Sequence, residues 1–186
     1  SNANSLLGIS PANSTSASVL TNALDTLSLV LLQQVGAHYS QDLTGPHRRG
    51  TPNNPAAGKK GYFDCSSLAQ WAYKQIGITI GSNTWEQYGK GNNTDVNKNG
   101  FCIDPHTKPQ RGDLLFWSEP NLRHAGGPPQ HVSILLSNFS NGVADVIQAS
   151  GKNTPVNVTK LKWSDIKGGK TLYQGTTYQA TYMGAR

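Results

Sequence analysis

The chain has 186 residues, of which 35% are hydrophobic and only 14% are charged. This is enough for one folded domain with a core, and it excludes a disordered or coiled-coil chain. The formal net charge of +6 favours anionic surroundings or partners. The basic residues are scattered and do not alternate with aromatic residues, so we expect no nucleic-acid binding. No stretch is long and apolar enough to span a membrane.

The N-terminal stretch, residues 1–17, is rich in Ser, Asn and Ala, which predicts a flexible tail. Its first three residues, Ser-Asn-Ala, are typical of the remainder of a cleaved tag and are set aside. We expect residues 18–186 to form a single domain. Residues 19–35 repeat apolar side chains at helical spacing before Gly36, which predicts the first helix. Residues 40–61 predict a loop.

The run Asp-Cys-Ser-Ser-Leu, at residues 64–68, opens a second predicted helix over residues 65–76. Asp64 is a favourable N-cap, so Cys65 is expected in the first turn. There the unsatisfied N–H groups and the helix dipole favour the thiolate, the reactive form. The alternative is a buried cysteine that packs like a small apolar residue. A disulfide with Cys102 would consume this nucleophile, so we expect two free thiols.

The C-terminal half changes from helical to strand-like patterning. Residues 84–88 predict a short helix and residues 89–110 a loop. Strands are then predicted at residues 113–117, 131–136, 143–149 and 177–183. Because short sequential strands usually pair antiparallel, we predict an α+β domain with a sheet packed on the Cys65 helix.

A thiol nucleophile needs a base within hydrogen-bond reach, and the base needs an orienting group. Among five histidines, His131 begins a predicted strand directly after a Gly- and Pro-rich turn, which places its ring near a cleft. Gln148 is the polar residue of an otherwise apolar strand. If the two strands form a hairpin, the Gln148 carbonyl can accept the Nδ1–H of His131 and fix the tautomer. The alternatives are a histidine that is merely satisfied or exposed, and an ordinary cross-strand glutamine.

Four motifs in order carry a family resemblance: DCSSL at 64–68, RGDLLFW at 111–117, HVSI at 131–134 and IQAS at 147–150. Together they resemble the NlpC family of bacterial cell-wall cysteine peptidases. The resemblance implies a papain-like α+β fold, with N-terminal helices packed on a central antiparallel β-sheet. It also implies cleavage of peptidoglycan stem peptides between D-γ-glutamyl and a diamino acid. Cys65 would be the nucleophile, His131 the base and Gln148 the orienter, with no cofactor.

The resemblance extends to residues around the nucleophile. Tyr39 would line the substrate cleft and could complete an oxyanion hole with the Cys65 backbone N–H. Asp64, Ser66 and Ser67 would contribute to substrate binding. The chain departs from the family at Ser67, where glycine is usual, and at Gln148, where histidine is more frequent. Segments 118–130 and 151–175 look like insertions. The expected protein is a monomer that is secreted or cell-wall associated, with a stem peptide as its partner.

Two other functions remain open from the sequence. An amidase or acyltransferase could use the same Cys/His core on another acyl group. An inactive wall-binding module would not need a reactive Cys65. Residues 95–100 also match the first half of a calcium loop, but His106 replaces the usual Glu at the twelfth position. We therefore expect an ordinary turn there and no metal.

Overall fold

The computed structural model describes residues 11–51, 60–89, 108–118, 129–167, 170–173, 176–179 and 181–185. Among the described residues, taken in sequence, helices precede and follow a run of four strands, and three more strands come after the last helix. In chain order the elements are α1 (Pro11–Gln33), β1 (His38–Tyr39), β2 (Tyr62–Phe63), α2 (Cys65–Gln75), α3 (Thr84–Tyr88), β3 (Leu114–Ser118), β4 (His131–Leu135), β5 (Val143–Gln148), β6 (Asn157–Lys162), α4 (Trp163–Lys167), β7 (Lys170–Tyr173), β8 (Thr176–Gln179) and β9 (Thr181–Ala185).

Five strands form one sheet in the order β6-β5-β4-β3-β9. Every neighbouring pair in it is antiparallel. This confirms the predicted helices and antiparallel sheet. Strand β4 is central, between β3 and β5, and its first residue, His131, pairs with Trp117 of β3. β1 and β2 form a short parallel pair, and β7 and β8 form a separate antiparallel hairpin.

The sheet is covered on both faces, which explains why β3 and β4 read as continuous apolar runs. One core cluster joins α1 and α2 to the sheet, and α2 contributes Leu68, Ala69 and Ala72 to it. A second cluster includes Trp117 together with Trp163 and Ile166 of α4. The small side chains of Ala69 and Ala72 let α2 lie close to the strands.

The turn before β3 shows why the RGD sequence contains glycine. Gly112 has φ +93°, and a Cβ there would come within 2.6 Å of Leu24 Cδ2 in α1. Its backbone N–H donates to the carbonyl of Leu135 at 2.8 Å. The Tyr73 hydroxyl donates to the Gly112 carbonyl. This turn therefore ties α1, α2 and the sheet together.

Two predictions about elements are wrong, and a further segment contains elements that were not predicted. Helix α1 begins at Pro11, inside the stretch predicted to be a tail. Residues 151–175 contain β6, α4 and β7, and β6 pairs with β5 along its whole length. That this segment is an insertion stays a prediction. The single last strand predicted at 177–183 is divided between β8 and β9. β6 is an edge strand with only Leu161 buried, so it lacks an apolar pattern that could be detected.

Candidate active site

The start of α2 is held by a reciprocal capping box. Asp64 Oδ1 accepts from the Ser67 backbone N–H at 2.9 Å, and Ser67 Oγ accepts from the Asp64 backbone N–H at 3.0 Å. Arg49 Nη1 donates to Asp64 Oδ2 at 2.8 Å and contacts Ser66 Oγ at 3.3 Å. Cys65, between these residues, is the first residue of the helix, as predicted. Its backbone position is therefore fixed on both sides.

The Cys65 thiol is free and only partly exposed. Burial raises its pKa to about 12, and the negative charge of Asp64 acts in the same direction. The backbone N–H groups of Val132, Ser66 and Cys65 itself point to the sulfur and lower the pKa, but by less. The N–H groups at the helix start thus favour the thiolate, as expected, but burial outweighs them and the net pKa is raised. The Val132 contact also places the sulfur beside the first residues of β4.

His131 and Gln148 are brought together as predicted, but through the other ring nitrogen. His131 Nε2 lies 2.9 Å from Gln148 Oε1. Because an amide oxygen only accepts hydrogen bonds, Nε2 carries the proton and Nδ1 is the basic nitrogen. The expected bond from Nδ1–H is thus a wrong assignment. Both side chains are buried, with exposed fractions of 3% for His131 and 1% for Gln148.

Burial lowers the pKa of His131 to about 4, while the hydrogen bond that its ring donates to Gln148 acts in the opposite direction. Trp117 is the Cα partner of His131 on β3 and is itself buried. Its indole N–H donates to Ser133 Oγ at 3.0 Å. A register shift between β3 and β9 falls at Phe116 and Trp117.

The pKa of the Cys65 thiol is raised and that of the His131 imidazole is lowered. Near neutral pH the resting site therefore holds a neutral thiol and a neutral imidazole.

Tyr39 lies next to the segment that enters α2. It is the β1 partner of Phe63, the residue before Asp64. Tyr39 is half-buried and packs on the main core. It also lines a groove of about 490 Å³, together with His38, His47, Tyr62 and Lys152. The Tyr62 ring stacks with His38 and with His47, at centroid distances of 5.9 and 4.7 Å.

The side chains of Asp64, Ser66 and Ser67 are buried and bonded within the protein. Ser66 Oγ also lies 3.3 Å from the Ser82 carbonyl oxygen. Their observed contacts hold the helix start, and contact with a substrate stays a prediction. Sequence reasoning missed Arg49, because a charge in a loop without a periodic pattern gives no signal of its buried partner.

Several predictions fall on residues that the structure does not describe: Cys102, the 95–106 segment and residues 119–128 of the apparent insertion at 118–130. Within the described ranges, no group of three or more His, Cys, Asp or Glu side chains could hold a metal ion. None of the helices in these ranges combines the length and apolar character that a membrane span requires.

Comparison with known proteins now identifies the domain. The model of the NlpC/P60 family matches residues 50–173, two thirds of the chain. The chain belongs to the NlpC/P60 family. This confirms the resemblance to NlpC-type cysteine peptidases. The matched range includes Cys65, His131 and Gln148, and it also includes β6 and α4 from the segment that had looked like an insertion.

Relatives within this family are similar over most of the chain. Peptidoglycan endopeptidase RipB of Mycobacterium tuberculosis is 27% identical over 143 residues, which are 75% of this chain and 47% of RipB. The chain thus spans about half the length of this curated relative. NlpC2 of Trichomonas vaginalis is 18% identical with a TM-score of 0.53, covering 88% of this chain and 45% of that one. An NlpC/P60 family protein from Bacillus cereus is 22% identical with a TM-score of 0.53, covering 88% and 39%. The two structures support the papain-like α+β fold.

Proposed function

We propose that this NlpC/P60 domain is a peptidoglycan endopeptidase in which Cys65 is the nucleophile, His131 the base and Gln148 the orienting residue. The observation that carries the proposal is the hydrogen bond between His131 Nε2 and Gln148 Oε1. His131 is next to Val132 on β4, and the Val132 backbone N–H points to the Cys65 sulfur. This bond leaves Nδ1 as the nitrogen that can accept the thiol proton.

The resting charge state determines how the first step proceeds. Because the thiol pKa lies far above that of the imidazole, a preformed ion pair is disfavoured. The proton therefore moves from Sγ to Nδ1 as the sulfur attacks the carbonyl carbon of the scissile bond. The product is a tetrahedral intermediate with a negative oxygen and a protonated His131. The Gln148 carbonyl then accepts a hydrogen bond from a charged ring, which is stronger than the same bond from a neutral one.

Two further steps complete the cycle. The intermediate collapses as the C–N bond breaks, and Nδ1–H protonates the leaving amine, leaving a thioester on Cys65. A water molecule then gives its proton to Nδ1 and its oxygen attacks the thioester carbonyl. When the C–S bond breaks, the sulfur recovers the proton from His131. The first turn of α2 offers the Cys65 backbone N–H to the oxyanion, and Tyr39 is proposed as the second donor.

The proposed substrate is a peptidoglycan stem peptide cut between D-γ-glutamyl and a diamino acid. RipB, which is named a peptidoglycan endopeptidase, supports the substrate class. The groove along Tyr39 is proposed to hold the peptide, with Lys152 and the two histidines able to meet its carboxylates. The site of action would be the cell wall, where the charge of +6 favours attraction to anionic polymers. We propose that the domain acts as a monomer.

The test is mass spectrometry of peptidoglycan fragments after digestion by the intact chain and by Cys65→Ala. We expect cleavage by the intact chain alone, with fragment masses that place the new ends at D-γ-glutamyl and the diamino acid. Circular dichroism of both proteins verifies that the variant is folded. New ends at another acyl bond would instead support the amidase. Failure of both proteins to cut, with sedimentation of the intact chain on walls, would support a binding module.

A further inference from the structure

A second pocket lies along α2, away from the catalytic residues. It measures about 610 Å³, within the range of small-ligand sites. Neither Cys65 nor His131 lines it. One wall is the face of α2 that presents Ser67, Gln70, Trp71 and Lys74, residues that share a face because they are three or four positions apart. The other wall is the segment 48–51, which contributes Arg48 and Arg49.

The pocket is strongly biased towards positive charge. Arg48, Arg49 and Lys74 line it, and none of the described lining residues is acidic. Arg48 and Lys74 are exposed, and the structure gives neither of them an ion pair within the described part of the chain. Arg49 is paired with Asp64, but both of its hydrogen bonds to side chains use Nη1. Because a guanidinium carries five N–H donors, Nε and Nη2 can bind a ligand while the pair is kept.

A buried indole in the pocket wall provides a reporter for the test. Trp71 lines the pocket and is 5% exposed. Its Nε1 is closed to solvent and has no hydrogen-bond partner among the described residues, so it does not by itself indicate a ligand. Its N–H signal reports on changes in the wall that it belongs to.

From the cavity and the three cations that line it, we propose that this pocket binds an oxyanion group, a phosphate or a carboxylate, at a site separate from the catalytic one. Bidentate and charge-assisted hydrogen bonds suit both anions. The source would be a phosphodiester polymer or a stem peptide, and only the choice of these probes depends on the proposed function. Arg49 connects the pocket to Asp64, the N-cap of the nucleophile helix, so a bound anion would lie one side chain from that cap.

The test follows the Trp71 indole N–H by nitrogen-15 NMR, with the signal assigned by triple-resonance experiments. Inorganic phosphate, a glycerol phosphate oligomer and a muramyl tetrapeptide are titrated separately into the Cys65→Ala chain, which cannot cleave the peptide. We expect at least one of them to move the Trp71 signal in a saturable way. The probe that binds identifies the source, and phosphate alone would define a site for the free anion.

Matched variants distinguish a specific anion-binding site from nonspecific electrostatic attraction to a basic protein. Arg48→Gln with Lys74→Gln removes two charges from the pocket, and Lys108→Gln with Lys162→Gln removes two exposed charges elsewhere. We expect the pocket pair to weaken binding about tenfold or more, as loss of charge-assisted bonds does, and the control pair to change it less than about twofold. Equal weakening by both pairs, or no saturable Trp71 shift with any probe, would overturn the proposal. Cleavage is measured separately on chains that keep Cys65. A failure of the proposed endopeptidase function can then be told apart from a failure of the anion site.

Discussion

The hydrogen bond between Gln148 and His131 offers the sharpest test of the catalytic proposal. In Gln148→Ala the imidazole keeps its position on β4 but loses the acceptor 2.9 Å from Nε2. Since both side chains are almost completely buried, water cannot easily replace the lost oxygen. The exposed tip of Gln110 provides a control truncation of the same residue type, Gln110→Ala.

The size of the effect follows from the burial of the pair. Leaving a buried donor without a partner costs about 1–3 kcal/mol. If that cost falls on the orientation of the ring that accepts the thiol proton, the rate constant falls by about 5- to 150-fold. The same cost to folding would lower the Tm by about 2–12 °C for a chain of this length. Both effects should be absent in Gln110→Ala.

The pH dependence of activity in Gln148 variants should shift in a direction that a purely structural role of Gln148 would not produce. Activity requires neutral His131, so the acidic limb should lie near pH 4, the value to which burial lowers its pKa. The Gln148 hydrogen bond raises that pKa. Gln148→Ala should therefore move the limb to lower pH while the plateau falls. Gln148→Glu should move it to higher pH, because a carboxylate stabilises the imidazolium.

The assay is release of stem-peptide fragments, quantified by chromatography and mass spectrometry across the pH range, with kcat and KM determined separately. We expect the loss mainly in kcat, because the pair acts on the proton transfer and not on substrate binding. If Gln148→Ala kept the kcat of the intact chain and the position of its acidic limb, the role assigned to Gln148 would be refuted.

Three further predictions concern charge states and packing at the site. Cys65 should react slowly with iodoacetamide near pH 7 and faster only in alkaline solution, because burial raises its pKa; mass spectrometry would show the opposite if the thiolate were already formed. Stability should fall as pH drops from 6.5 towards 4, by up to roughly 3 kcal/mol, because the unfolded chain protonates His131 more readily. Urea unfolding of His131→Gln should lose this slope. Arg49→Gln should destabilise the fold by about 1–3 kcal/mol, since it leaves Asp64 buried without its cation, and Arg49→Gln combined with Asp64→Asn should recover part of the loss.

The local parts of the site were predictable from sequence. The Asp64 cap and the helix after Cys65 depend on neighbouring residues only, so the sequence contains the whole signal. His131 and Gln148 could be paired because their strands are consecutive and antiparallel. The nitrogen that faces Gln148 depends on the direction of the ring in three dimensions, which no strand pattern contains.

Properties that depend on tertiary contacts were not predictable. The backbone N–H groups around Cys65 favour its thiolate, but desolvation outweighs them, and desolvation depends on the packing of Cys65 against the core. Strand β6 was missed because an edge strand with exposed Lys160 and Lys162 needs few apolar residues. The partnership of Arg49 with Asp64 joins residues 15 positions apart through a loop without a pattern.

The capping box around Cys65 has a consequence for engineering this domain. The side chains of Asp64, Ser66 and Ser67 already form hydrogen bonds that hold the helix start. Substitutions at these positions would destabilise the helix before they altered substrate selectivity. A redesign of substrate preference should leave residues 64–67 untouched. The groove wall at His38, His47 and Lys152 can be varied at lower cost, because these side chains border open space and do not cap a helix. Cys65 should therefore keep its position and its neighbours, and substitutions that change substrate preference should be made in the surrounding groove.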